Sequence, residues 1–230
     1  MSASMMKFHC NGEEKRFVQF GTVMTHPDYQ RQGLSRFLIE QVLREYQDNI
    51  DGFYLYANEE VLNFYPKFGF FRKTEYFYQK QVTFDTTRTI QPYYMGEAEN
   101  RKKFKMAVEH SVYQGSFEMA GHANLIMFYT TGFLKDCVYY SSHQDIFVVA
   151  EIKEKTLILY GLFSDKVIDL ECVISEFGSD IQTVVLGFTP FDTTGFTMSE
   201  VLQEDNLFVK GEKFNFLDSE KKCFPILSHT

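Results

Sequence analysis

Tryptophan is absent from the 230 residues, and only five prolines and four cysteines occur. Cys10, Cys137, Cys172 and Cys223 are widely scattered, with no Cys-x-x-Cys pair and no His-rich partner spacing. That pattern argues against a disulfide framework and against a metal site, and it reads as free thiols in a reducing cytoplasm. Basic charge is in short supply: 23 Lys and Arg stand against 31 Asp and Glu, a net charge of −8. A nucleic-acid partner is therefore not expected. The apolar runs are short and broken by charges, so no segment is expected to span a bilayer. The opening MSASMMKFHCNGEEK lacks a long apolar stretch and does not read as a secretion signal.

The chain is 44% hydrophobic and 17% aromatic, with 25 Phe. This is ample for a packed core, in one large domain or two small ones. Residues 1–90 hold 11 basic and 11 acidic residues, 11 − 11 = 0, and residues 91–230 hold 12 and 20, 12 − 20 = −8. All the net acidity lies in the second part. It reads either as a solvated surface or as a wall that attracts a cationic acceptor such as an amine.

Ser4 to Cys10 reads as a strand, Asn11-Gly12 as a tight turn, and Arg16 to Thr25 as the returning strand. The polar loop Asp28-Tyr29-Gln30-Arg31-Gln32 follows His26-Pro27, and Gly33-Leu34-Ser35 opens an amphipathic run. A strand, a tight loop and a first helical turn aim unpaired N–H groups and the positive end of a helix dipole at one spot, which suits a phosphate. Gly33 permits close approach of a ligand to the backbone, and Arg31 adds a cation. Leu34, Phe37, Leu38, Val42 and Tyr46 recur at helical spacing and predict one buried stripe. Phe53–Ala57 reads as an interior strand, Asn58 as an N-cap with Glu59 and Glu60 as solvated first-turn carboxylates, and Glu59–Phe68 as a short helix distorted by Pro66 and ended by Gly69. Aromatic strands continue to about Val82.

Gln30-x-x-Gly33-x-Ser35, three residues after Pro27, resembles the (Gln/Arg)-x-x-Gly-x-(Gly/Ala) acetyl-CoA loop of the GNAT N-acetyltransferase superfamily, with Ser35 where the family prefers Gly or Ala. Asn58 to Phe70, with Phe64-Tyr65 and Gly69-Phe70, resembles a second signature of the same family. The resemblance covers about Met5 to Lys80. It implies a mixed α/β, GNAT-like acyltransferase fold for residues 1–84, with acetyl-CoA in a gap between the strand ending at Thr25 and the strand Phe53–Ala57. It implies that backbone groups of Met24 and Thr25 pair with the pantetheine arm. The loop Gln30, Arg31, Gln32, Gly33, Leu34 and Ser35 would hold the pyrophosphate, and Asn58 would lie at the cofactor. Tyr65 would act as general acid for the departing thiolate; the alternative in this aromatic stretch is a core side chain. The chemistry implied is direct attack of an amine on the thioester, without metal, where positioning supplies most of the rate. The alternative is a non-catalytic acyl-CoA-binding or regulatory module.

Two expectations concern the rest of the chain. The family fold begins with a strand, two helices and another strand before this hairpin, and Met1 stands almost on the hairpin itself. Such a chain would reflect a short reading frame, a truncation or replacement of that layer by a partner. After a polar linker, residues 91–230 read as strand, two helices, three strands, helix, strand and a late strand at Leu207–Lys210. That order suggests a second, degenerate GNAT-like unit, in which Asp165 and Asp169 would repel a pyrophosphate. It would close the acceptor site or make a homodimer. The apolar tail Phe224–Thr230 would dock, either inertly or with its carboxylate as a base.

Overall fold

In the computed structural model, which describes residues 1–200 and 206–229, the first strands turn at Asn11-Gly12. Both residues have positive φ, 49° and 90°, the left-handed pair that a two-residue hairpin turn of this hand requires. Strand β1 (Ser2–Cys10) thereby pairs antiparallel with β2 (Glu13–Gly21) along its whole length. Helix α1 (Leu34–Tyr46), β3 (Gly52–Ala57) and β4 (Phe71–Arg72) follow, with 3₁₀ turns at Glu59–Val61 and Tyr65–Phe68. Next come β5 (Tyr76–Gln81), β6 (Gln91–Pro92), α2 (Ala98–His110), β7 (Gly115–Met119) and α3 (Ala123–Thr131). Strands β8 (Val138–Ser141), β9 (Ile146–Lys153) and β10 (Thr156–Phe163) lead to α4 (Leu170–Ser175) and β11 (Thr183–Leu186). The last elements are β12 (Thr189–Pro190), β13 (Thr197–Glu200), β14 (Asn206–Lys210), α5 (Asn215–Ser219) and a 3₁₀ turn at Ile226–Ser228. The class is mixed α/β, as expected.

The described residues divide into unit 1, residues 1–75 with 200 and 206–222, and unit 2, residues 76–199 with 223–229. Within unit 1 the strand order is β1-β2-β3-β14-β4. β2 and β3 are parallel, and β14 inserts antiparallel between β3 and β4. This differs from the reading that put Leu207–Lys210 late in the second unit and drew the first boundary at residue 84. Leu207, Phe208 and Val209 are buried, and the strand finds its apolar neighbours and its ladder on β3, 149 residues earlier in the register Asn206↔Ala57. The core here joins Val18, Phe20, Ile39, Phe53, Leu55 and Phe208.

Helix α1 buries a different stripe from the one its spacing suggested. Ile39 is buried, Val42, Leu43 and Tyr46 pack against the core, and Leu34, Phe37 and Leu38 are exposed. The helix is rotated by about one residue, a difference that 3.6-residue periodicity resolves poorly when apolar side chains occupy adjacent positions. The expected helix over 59–68 is two 3₁₀ turns instead, since Pro66 cannot donate into an α-helical ladder. Gly69 closes the second turn at φ 82°, and Lys210 Nζ caps the Phe68 carbonyl at 2.9 Å.

Unit 2 contains a seven-stranded sheet of order β13-β5-β11-β10-β9-β8-β6. β10 and β11 are parallel, and β10 and β9 are antiparallel with a register shift between Leu159 and Gly161. The turn at Glu154 has φ 56°, between the two strands expected there. β7 pairs with β12 and had no counterpart in the sequence reading. The tail docks within this unit: Phe224 and Leu227 are buried, and the Tyr129 hydroxyl donates to the His229 carbonyl at 2.6 Å. The carboxylate expectation falls on Thr230, which lies outside the described residues. No described helix is long and apolar enough to cross a membrane.

Candidate functional site

The parallel β2–β3 ladder runs from Phe17↔Gly52 to Phe20↔Leu55 and stops there. β3 continues through Tyr56 and Ala57, paired on its other side with β14. β2 ends at Gly21, and Thr22 takes φ 46°, which turns the chain out of the strand. Beyond Phe20 and Leu55 the two strands have no ladder between them, and the sequence expectation of a gap at this place matches that geometry. The returning strand was expected to reach Thr25. Its early end leaves Met24 exposed and Thr25 half-buried in non-strand backbone.

The loop after β2 is held by its own polar side chains. Thr25 Oγ1 and Ser35 Oγ are 2.7 Å apart, joining the loop entrance to the first turn of α1. Gln30 Nε2 donates to the Thr25 carbonyl at 3.3 Å, and Gln32 Nε2 to the Asp28 carbonyl at 3.4 Å. Gln30 and Gln32 thus brace the loop from within. Arg31 is exposed at φ 61°, and Gly33 occupies the N-cap of α1 at φ 79°. A side chain at Gly33 would be strained by about 1 kcal/mol in this conformation. A Cβ built there meets nothing within 4 Å, so this backbone faces open space.

No side chain caps α1 and no acidic residue lies in its first turn. The amides that open a helix have no intrahelical acceptor, and here no carboxylate competes for them. Arg36 lies over the Phe68 ring at 5.6 Å and ion-pairs with Glu40 at 3.8 Å. Its position beside these amides had no signature in the sequence. The opposing charge is Asp28, whose carboxylate stands 3.6 Å from His26 Nδ1. The residues present fit a diphosphate: uncommitted amides, a glycine that leaves space, and cations at 31 and 36.

Asn58 follows β3 at an N-cap position, yet its side chain makes no cap hydrogen bond. The expected capping bond is absent because only a single 3₁₀ turn follows, with the backbone bond Val61 N–H to Asn58 carbonyl at 3.3 Å. Tyr65 is buried, with its ring against Phe64, Phe70 and Phe208. It belongs to the same apolar cluster as Phe20 and Leu55, the last pair of the parallel ladder. Burial raises its hydroxyl above the ordinary tyrosine range, which keeps it protonated. Among the described residues no hydrogen bond joins Tyr65 or Asn58 to the loop. The sequence reading also missed Glu75, a buried carboxylate that accepts the Tyr56 hydroxyl at 3.2 Å. Among the described residues no three His, Cys, Asp or Glu side chains are grouped to hold a metal.

Residues 4–72 match the family model of the acetyltransferase (GNAT) domain. The similarity covers unit 1 up to Arg72 and leaves most of the chain outside it. The chain is also similar to the uncharacterized N-acetyltransferase ycf52 of Gracilaria tenuistipitata var. liui, 39% identical over 49 residues that are 21% of this chain and 27% of that protein. In fold it resembles a conserved protein of Enterococcus faecalis V583, at TM-score 0.56 and 14% identity over 90% of this chain and 57% of the other. It resembles Eis1 of Mycobacterium abscessus similarly, at TM-score 0.55 and 14% identity over 91% and 60%. The chain therefore spans less than two thirds of the length of each of these relatives. The GNAT match ends at Arg72, before the elements of unit 2 begin.

Proposed function

We propose that this protein is an N-acetyltransferase that binds acetyl-CoA in unit 1 and passes the acetyl group to a primary amine. The single observation that carries the reading is the open N-terminus of α1 beside the end of the β2–β3 ladder. In it, the amides from Arg31 to Ser35 hold the diphosphate, with Arg31 as a cation and Gly33 as the point of closest approach. Thr25 and Ser35 brace the loop through their 2.7 Å contact. Met24 and Thr25 offer backbone groups along the opened strand edge, and Leu34 flanks the diphosphate. Asn58 lies at the end of the opposing strand.

Acetyl-CoA supplies an activated acyl group; the chain's own residues orient it, exclude water and manage protons. Tyr65, kept protonated by its apolar surroundings, donates to the leaving thiolate. The acceptor is a small-molecule or peptide amine. In this reading unit 2 is a degenerate GNAT-like unit that binds no CoA, and the protein works in the cytoplasm as a homodimer.

The test is thiol release from acetyl-CoA across an amine panel. Turnover that depends on the amine and falls at least tenfold in Tyr65→Phe supports the reading. CoA binding without turnover on any amine would instead identify a binding module.

A further inference from the structure

Unit 2 holds a cavity of about 430 Å³ that the reading of unit 1 does not use. Its walls come from α2, α3, the end of β7, β10 and the docked tail. Val108, Leu125, Leu162, Phe188 and Leu227 give it an apolar side, and Lys105, Glu109, His122 and Asn124 a polar one. Glu118, near the end of β7, turns its carboxyl into this space. Its Oε1 accepts the Gln114 amide at 3.0 Å, and the carboxyl also accepts from the Gly115 amide. Gly115 is needed for that fold-back, since a Cβ there would lie 3.0 Å from Oε1 and 2.4 Å from the Thr189 carbonyl.

Oε2 has no hydrogen-bond partner among the described residues, and no Lys or Arg pairs with this carboxyl. The nearby charges are spent elsewhere: Lys105 faces Glu109 at 3.6 Å on α2, and the Tyr160 hydroxyl donates to Glu151 at 2.7 Å. Desolvation without a counter-charge pushes Glu118 up to about 8 despite its two amide donors. A buried carboxyl with no cation paired to it is costly to fold unless something binds it. The chamber lies within the size range of small-ligand sites.

We infer that this cavity is a binding site for a small apolar amine, its ammonium on Glu118 Oε2 and its hydrocarbon against Leu125, Leu162 and Phe188. An ammonium supplies the counter-charge that the surrounding side chains lack. The alcohol of the same skeleton offers only a neutral hydrogen bond, and a carboxylate brings no counter-charge and opposes ionisation of Glu118. The inference stands on unit 2 alone and does not need the acetyl-transfer reading of unit 1.

The test is calorimetric titration of the full chain with 2-phenylethylamine, 2-phenylethanol and 3-phenylpropanoate. Saturable amine binding is expected, at least fivefold tighter than the alcohol, with no binding of the acid. Glu118→Gln, nearly isosteric and still able to accept both amides, should weaken the amine at least tenfold and leave the alcohol within twofold. Ala120→Phe, from a half-buried position on the wall, should abolish both. Absence of amine binding to the wild-type chain, equal binding by Glu118→Gln, or amine binding that survives Ala120→Phe would each overturn the assignment.

Discussion

Units 1 and 2 each send a strand through a loop into a helix and then into a parallel strand: β2–α1–β3 in one, β10–α4–β11 in the other. In both, the parallel ladder stops while one strand runs on. The differences lie in what occupies the exposed backbone. At α1 the N-cap is Gly33, without a side-chain bond and with no acid in the first turn. At α4 the N-cap is Asp169, whose carboxylate accepts the Glu171 amide at 2.9 Å and the Cys172 amide at 3.5 Å, and Glu171 sits in the first turn. The strand gap of unit 2 is also filled. Ile226 donates its amide to the Gly187 carbonyl at 2.9 Å, where the β10–β11 ladder has ended at Leu159↔Leu186. A Cβ at Gly187 would stand 3.1 Å from Ile226 Cδ1, and one at Gly161 3.1 Å from Leu227 Cδ1. An anion site is therefore not a property of strand, loop and helix. It depends on amides and a strand edge left without an internal partner, and unit 2 partners both with its own chain.

The largest break in this contrast is Gly33→Glu. It adds a strained side chain and a negative charge at the open amides, and CoA affinity should fall at least a hundredfold by calorimetry. Next is Tyr65→Phe, which sharpens the contrast by separating chemistry from binding. Thiol release should fall at least tenfold while the Kd for CoA stays within twofold, because the hydroxyl makes no hydrogen bond within the described protein. Asp169→Ala, on the other side of the comparison, should cost about 1 kcal/mol of stability in urea unfolding, the usual worth of an N-cap. It should not create a second CoA site, since residues 225–227 still fill the gap and Glu171 remains. The smallest effect is Ser35→Ala, which removes the bond to Thr25. About 1 kcal/mol at most is at stake, read as a fewfold weakening of CoA binding with no change in fold.

The sequence disclosed the features set by local backbone chemistry. Asn11-Gly12, Gly33 and Gly69 stand at positive φ where a turn, a loop glycine open to a ligand and a helix stop are read. Asp169 is hostile to a diphosphate by its charge alone, and its capping bonds add to that. Features that depend on distant partners stayed hidden. β14 crosses back to β3 over 149 residues, and nothing in Asn206–Lys210 names its neighbour. The buried face of α1 was misjudged because Phe37 and Leu38 are as apolar as Ile39, and only the sheet beneath decides among them. Glu118 carried no signal at all: its significance comes from a cavity assembled by five separate segments. Tyr65 was legible as a motif residue, and its cluster with Phe20 and Leu55 emerged only once β2 and β3 were paired.

The claim beneath this account is that the amides opening α1 grip a diphosphate which the equivalent amides of α4 refuse. Isothermal titration of the intact chain with CoA measures it directly. The account predicts saturable binding at one site per chain, preserved in Asp169→Ala and lost in Gly33→Glu. No measurable heat and no rise in Tm at millimolar CoA, or binding that survives Gly33→Glu unchanged, would contradict it.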